Sequence, residues 1–385
     1  MILPRMIMKN AFRRKVRTIL TIVAMGIAIL AFGLLRTVLT AWYSAVDASS
    51  ATRLVTRNAV SIIFPLPLAY HEKIRHVSGV HRVSHGSWFG GIYISEKNFF
   101  ASFAVDPESY LDLFPELVIP GQQKADFFRD RRGFVAGRKL ADRFGWRVGD
   151  VVTLKGTIYP GDWDFVLRGI YEGRYRTVDE TQFFFHWDYL NEGVRRTYSS
   201  MADQVGFFMI GVKDPNLSAE VAREIDAMFA NSRAETLTET ERAFIMGFIS
   251  MSEAIVMVIR IVSLVIIVII LAVVANTMAM TTRERVGEYA VLKTLGYSGW
   301  HIGTLISGEA FLITLSGCLL GIAMTYPVVR FFTTELGAYF PVFFVEPLTI
   351  WLDFGAATLV GATAAVIPTR QAVRIRIADG LRRIG

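Results

Sequence analysis

Thr282-Arg283-Glu284-Arg285-Val286-Gly287-Glu288-Tyr289-Ala290-Val291-Leu292-Lys293-Thr294-Leu295-Gly296 is the stretch on which the reading of this chain turns. It is short and polar, and it lies between two apolar runs, Ile255 to Met280 and Ile302 to Val329. Each run is long enough to cross the roughly 30 Å of bilayer hydrocarbon. The stretch between them is therefore a loop at one membrane face. It also reads as a short helix: Thr281 and Glu284 have the capping-box spacing, nothing breaks the pattern after Gly287, and Gly296 suits the C-terminal position. On that helix Glu288, Val291, Leu292 and Leu295 fall on one stripe, and Arg285 and Glu288 are spaced for a local ion pair. A solvated connector that only stops translocation fits the same residues.

Working outward, two further apolar runs appear. The first, Thr18 to Leu39, holds Gly26 and Gly33, has Arg36 where it can snorkel, and is followed by Trp42 and Tyr43 at the level of an aromatic belt. The last, Pro347 to Pro368, is dense in Gly and Ala. Arg260 sits near the outer end of its run and is again placed to snorkel. Gly317-x-x-x-Gly321 in the third run allows another helix to approach closely. At 52% hydrophobic and 19% charged residues the chain is too apolar for an ordinary soluble protein and too charged to be membrane throughout. The net charge of +7 does not form a folded basic patch, which argues against nucleic acid, because it gathers at the ends: Arg5, Lys9, Arg13, Arg14, Lys15 and Arg17, then Arg370, Arg374, Arg376, Arg382 and Arg383. Basic flanks of this kind predict both termini on the cytoplasmic side. A secretory signal peptide is the rival reading of the N-terminus, but the run is long and no clean Ala-x-Ala site follows it. Cys318, the single cysteine, lies in an apolar run, so no intramolecular disulfide braces an exported domain.

Between the first two spans no window from about Asn58 to Thr238 stays apolar for a span's length, which predicts a folded extracytoplasmic domain. Strands are predicted at Val60–Phe64, Val80–Val83, Phe134–Ala136, Val151–Leu154, Phe165–Tyr171, Thr181–Phe185 and Val205–Val212, and helices at Leu68–Val77, Arg138–Phe144 and Ser218–Ala230. Asp106-Pro107 and Val148-Gly149-Asp150 mark turns, and a second unit starts near Pro120-Gly121. The helical pattern of the first span allows a stalk from about Ala45 to Arg57, and from Glu239 a helix leads without a loop into the second span. The fold class is thus an α-helical membrane protein with four transmembrane helices and an α+β domain between helices 1 and 2.

The search for chemistry finds little. There is no Gly-x-x-x-x-Gly-Lys-Ser/Thr loop, no Gly-x-Ser-x-Gly elbow and no His-Glu-x-x-His helix, so no catalytic, cofactor or metal residue is assigned. His71, His76, His81 and His85 cluster in sequence, but five apart on a helix or four apart on a strand they do not chelate one ion. Asp162, Asp164, Glu172 and Asp179 read as a solvated face, Arg129 to Arg132 as a solvated loop, and Trp88, Phe89, Phe99, Phe100 and Phe103 mostly as core.

Arg283 to Gly296, with the pattern Arg-x-Arg-x-x-Glu-Tyr-x-Val-Leu-Lys-x-Leu-Gly, resembles the signature of FtsX/MacB-type ABC transporter permeases. Asn10 to Thr21 looks like that family's lead-in to the first span, Pro368 to Arg382 like its tail, and Gly137 to Leu154 like part of its MacB-like periplasmic core. The resemblance implies a coupling helix at 281–301 that docks on a separate ATPase subunit, through Arg283, Arg285, Glu288, Leu292, Lys293, Leu295 and Gly296. It implies that ATP and Mg reside on that partner and that this chain is not itself an enzyme. It implies a second permease, as homo- or heterodimer, leaves a periplasmic adaptor open, and places the chain among membrane lipids in a bacterial inner membrane. The implied division is a basic N-terminus at 1–17, a first span and stalk at 18–44, and an extracytoplasmic domain at 45–238. That domain has a porter-like lobe (50–118 and 202–238) and a β-rich lobe (119–201). Stalk and second span at 239–280, a third span at 302–329, an outer loop at 330–346, a fourth span at 347–368 and a basic tail at 369–385 complete it. The implied function is the separate-permease branch, moving a lipoprotein, lipid, peptide or drug. The alternative is a mechanotransmitter that regulates an extracytoplasmic cell-wall hydrolase.

Overall fold

The structure, a computed structural model, describes residues 2–336 and 342–374. The outer part of the loop expected at 330–346 and the basic tail beyond residue 374 lie outside the described residues. The chain opens with a short helix α1 (Ile2–Ala11), turns at Phe12–Arg14, and enters α2 (Lys15–Ala48). Strands and helices then alternate: β1 (Arg53–Asn58), β2 (Leu66–Pro67), α3 (Tyr70–Arg75), β3 (Val80–Trp88), β4 (Ser102–Val105), α4 (Pro107–Leu113) and β5 (Leu117–Val118). They continue through α5 (Gly121–Arg129), β6 (Gly133–Gly137), α6 (Arg138–Phe144), β7 (Val151–Gly156), β8 (Gly161–Gly173), β9 (Phe183–His186) and α7 (Trp187–Thr197). After β10 (Gln204–Val205), β11 (Phe207–Val212), α8 (Ser218–Phe229), β12 (Thr236–Thr240) and α9 (Glu241–Ser250), the chain returns to long helices. These are α10 (Glu253–Glu284), the short α11 (Val286–Thr294), α12 (Gly299–Leu336) and α13 (Pro347–Arg374).

Among the described residues four helices are long and apolar enough to span a membrane: α2, α10, α12 and α13. α10, α12, α13 and α2 as far as Ala41 form one compact unit, and Trp42–Ser252 forms another. Inside the helical unit glycine sets how closely α2 and α12 approach. A Cβ on Gly317 would stand 2.5 Å from Met25, and one on Gly321 would stand 2.7 Å from the Gly26 carbonyl and the Ile29 Cβ. Without a hydrophobic drive between helices in lipid, such close backbone contact is what holds them. Pro327 and Pro368 both lie inside helices. The fourth span therefore does not end at Pro368 but runs six residues further, since a spanning helix tolerates proline where neighbours meet the freed backbone groups.

In the folded unit ten strands share one sheet, ordered β12-β1-β11-β3-β4-β9-β6-β8-β5 with β7 paired to β8, while β2 and β10 form a small separate ladder. The parallel pairs β4–β9 and β6–β8 sit within otherwise antiparallel neighbours. Both faces are buried, and side chains of successive residues divide between them. Phe183 and Phe185 join a core with Phe134, Phe165 and Phe208, whereas Phe184 joins Val55, Val135, Tyr171 and Met209 on the other side. The boundaries expected between two lobes, near 118 and 201, thus run through a continuous sheet, with β4 hydrogen-bonded to β9 across the first of them.

Local expectations differ in four places. The strand placed at Val60–Phe64 lies upstream, at Arg53–Asn58, because that segment finds partners in β11 and β12, while Pro65 and Pro67 lack ladder donors; Ile63 is left 85% exposed. The stalk helix ends at Ala48 rather than Arg57, for the same reason. Glu239 lies in β12, and the helices that follow it, α9 and α10, are separated by a turn at Met251–Ser252. Asp106-Pro107 is not a bare turn but the start of α4, with proline at its first position.

Arg53 carries the one charge that this unit buries most completely among hydrogen-bonded partners. Its Nε donates to Glu241 at 2.7 Å, its Nη1 reaches Glu116 at 2.7 Å and the Leu113 carbonyl at 2.9 Å, and Phe114 stacks beneath it. Arg53→Met is expected to destabilise the unit by about 3–5 kcal/mol, since two buried carboxylates lose their cation; urea unfolding of the full chain, followed by tryptophan fluorescence, checks it. Gly321→Leu is expected to lower the thermal unfolding temperature in detergent by overpacking against α2, of the order of 1–3 kcal/mol, while Gly355→Leu, where a Cβ meets nothing within 4 Å, leaves it unchanged.

Candidate functional site

The junction of α10 and α11 is a single residue. α10 runs to Glu284, Arg285 takes φ −106° and ψ 13°, and α11 begins at Val286 with no side-chain cap. The capping box expected from Thr281 and Glu284 does not form. Thr281 is buried inside α10, and its hydroxyl donates to the Thr277 carbonyl at 2.8 Å. Glu284 instead accepts from Arg14 at 2.9 Å and from Arg17 at 3.1 Å.

What fixes α11 is a chain of ion pairs. Arg285, with its side chain only 11% exposed, donates to Glu288 at 3.0 Å and to Glu309 of α12 at 3.1 Å, and its guanidinium lies 5.5 Å from the Tyr289 ring. Glu288 also pairs with Arg13 at the α1–α2 turn. Burial pushes the Glu288 carboxyl up, but the guanidiniums of Arg285 and Arg13 outweigh it and hold the group below the ordinary glutamate value. Burial also drives the Tyr289 phenol up to about 12, so it stays neutral. On the inner face of α11, Tyr289 and Ala290 are buried and Leu292 packs partly against the core of the helical unit. Lys293 Nζ donates to the Val373 carbonyl of α13 at 2.8 Å.

At its C-terminus α11 closes in a Schellman arrangement. Gly296 N donates to the Lys293 carbonyl, Tyr297 N donates to the Leu292 carbonyl, and Gly296 has φ +92°. A side chain there would be strained, so glycine is required for the turn.

The residues singled out in the sequence therefore separate. Arg285 and Lys293 face inward and anchor α11 to α12 and α13, and Leu292 is half-buried. Glu288, Val291 and Leu295 lie on the open face, with Val291 41% and Leu295 71% exposed, and Arg283 is exposed at the end of α10. Glu309, Arg13 and Tyr289 complete the site without having been singled out. Glu309 had a signal: it is the one side chain of Asp, Glu, Lys or Arg in the apolar run from Ile302 to Val329, and such residues need a partner. Arg13 had none beyond membership of a basic cluster.

The other sequence clusters resolve as packing. His71 and His85 meet edge to face with ring centroids 5.5 Å apart, while the His76 Nδ1–H donates to the Glu72 carbonyl at 2.6 Å. Among the described residues no three His, Cys, Asp or Glu side chains converge on one point. Asp130 accepts from Arg168, Arg131 pairs with Glu192, and Glu172 pairs with Arg138. Phe89 and Phe100 are core; Trp88 and Phe99 are exposed.

Comparison with known proteins adds to this geometry. A family model described as the FtsX-like permease C-terminal region matches residues 260–377, which contain α11. A second, described as the MacB-like periplasmic core domain, matches residues 18–228, more than half of the chain. The crystal structure of the extracellular domain of the noncanonic ABC-type transporter YknZ from Gram-positive bacteria is similar at 10% identity and a TM-score of 0.37, over 49% of this chain and 100% of that one. That of the periplasmic region of MacB from Actinobacillus actinomycetemcomitans is similar at 9% identity and a TM-score of 0.37, over 53% of this chain and 95% of that one. No curated protein matches the chain.

Arg285→Met is expected to lower stability by about 3–5 kcal/mol, because Glu309 is left buried without its cation. Arg285→Met/Glu309→Leu removes both charges and is expected to recover most of that loss. Thermal unfolding of the two variants in detergent measures the difference, and equal losses would show that the pair is not what holds α11.

Proposed function

This chain belongs to the FtsX/MacB-type ABC transporter permeases, and from that premise we propose that α11 is the element through which a separate ATPase subunit drives it. The observation that carries this reading is the outward face of α11, where Glu288, Val291 and Leu295 stand exposed on a helix whose other side is locked by Arg285, Lys293 and Tyr289. A loop that merely joined two spans would need no such lock. A push on the exposed face passes through Arg285–Glu309 into α12 and through Lys293–Val373 into α13. In this reading the chain sits in a bacterial inner membrane, the coupling helix and both chain termini are cytoplasmic, and the domain at 45–238 is extracytoplasmic. Two permeases, identical or different, work with two ATPases that hold ATP and Mg. An adaptor spanning the envelope fits the same arrangement.

The substrate class is hydrophobic or amphipathic: a lipoprotein, lipid, peptide or drug extracted by movement of the extracytoplasmic domain. Leu295 is the apolar anchor, Glu288 and Arg283 are the charged contacts, and Arg285 and Gly296 set the helix in place. The roles given to Arg285, Leu292 and Lys293 are thus positioning roles rather than direct contacts.

The test uses the protein co-purified with the ATPase encoded beside it and reconstituted in lipid. Leu295→Asp is expected to cut the permease-dependent part of ATP hydrolysis by about tenfold, the loss of one well-packed apolar anchor, with little change in thermal stability because the side chain is exposed. Wild-type coupling in Leu295→Asp/Glu288→Ala would overturn the assignment of α11.

A further inference from the structure

Beside the coupling helix, α2 and α10 leave an open groove of about 860 Å³ whose two ends differ in chemistry. Arg13, Arg14, Lys15 and Arg17 line one end; Leu20 and Val273 line the other. The cations outnumber the carboxylates that meet them. Arg13 pairs with Glu288, and Arg14 and Arg17 share Glu284, so four positive side chains face two negative ones. Glu288 is in addition shared with Arg285. Lys15 is exposed and has no ion pair among the described residues. The side chains of Arg13 and Arg14 remain 64% and 61% exposed despite their pairs. The apolar end is just as open, with Leu20 63%, Val16 73% and Val273 40% exposed.

We propose that this groove binds an anionic phospholipid, its phosphate held by Lys15 with the outer faces of Arg13 and Arg14, and one acyl chain laid along Leu20 and Val273. Surplus positive charge at the level of a membrane surface attracts anionic headgroups. A free phosphate would use the basic end alone and leave the apolar wall open. A symmetric second copy would set one basic row against another, at a repulsive cost. Only a molecule with an anionic head and a hydrocarbon tail is complementary to the whole groove. Glu284 shows that the arginines here accept oxyanion geometry, since two guanidiniums already converge on its carboxylate. The inference concerns lipid binding alone and does not depend on the role assigned to α11.

Native mass spectrometry of the full chain, released from detergent after titration with phosphatidylglycerol or with phosphatidylcholine of the same acyl chains, reads the site without any ATPase. Phosphatidylglycerol is expected to saturate a first adduct at about tenfold lower concentration, as expected from two or more surplus cations near the surface. Lys15→Glu is expected to bring the two lipids close to parity. Leu20→Trp, which fills the apolar end and keeps every cation, is expected to lower the first adduct of both lipids. Excess inorganic phosphate is expected to leave the adduct in place. Equal affinity for the two lipids in the natural sequence would overturn the proposal. So would displacement by inorganic phosphate together with normal binding by Leu20→Trp, or a dimer whose formation excludes the lipid.

Discussion

A guanidinium removed from water is tolerable only where carboxylates meet it, and Arg285 meets two, on different helices. That constraint organises the foot of the helical unit. Glu288 lies one turn along α11 and Glu309 lies on α12, so a single side chain fixes the angle between a short helix and a long one. Arg13 extends the chain to the turn that leads into α2. Four elements are thereby tied at one corner by charges rather than by apolar packing. In a bundle whose helices meet lipid on most sides, apolar side chains gain little from facing one another rather than the bilayer, and ion pairs with close glycine contacts carry the specificity.

Much of this was legible in the sequence. The four spans, the short helix and its closing glycine follow from hydropathy, spacing and the need for positive φ at Gly296. Arg138–Phe144 appears as a helix with the bounds its pattern gave, and Ser218–Phe229 differs by one residue. What was not legible depended on partners distant in the chain. Val60–Phe64 has better strand composition than Arg53–Asn58, yet the latter pairs with β11 and β12, and pairing outweighs propensity. The direction in which Arg285 and Lys293 point is likewise set by Glu309 and Val373, which lie tens of residues away. α1 escaped notice because its basic residues read as a flank; its fit depends on Gly308, where a Cβ would stand 2.6 Å from Ile7.

The folded unit shows how a sheet buried on both faces stays regular without disulfides. Phe183, Phe184 and Phe185 in one short strand serve two cores, and Phe134 stacks on Phe183 with centroids 4.1 Å apart. Aromatic side chains bury a large area each at small conformational cost, which suits a domain that has no cross-links to rely on.

The path of the chain through that sheet has a mechanical meaning. β1 begins five residues after α2 ends, β12 passes directly into α9, and the two strands are antiparallel neighbours, so the chain arrives and departs at the same end of one ladder. A force that drew those two connections apart would open the ladder one rung at a time, beginning at Leu54 and Thr240, instead of loading all rungs together. Zippered ladders resist poorly unless their first tooth is fastened. Here it is: Arg53 and Ser50 both grip Glu241, the first residue of α9, beside that rung. The clasp ties the two connections to each other, so a pull on either would meet Glu241 before it reached the ladder.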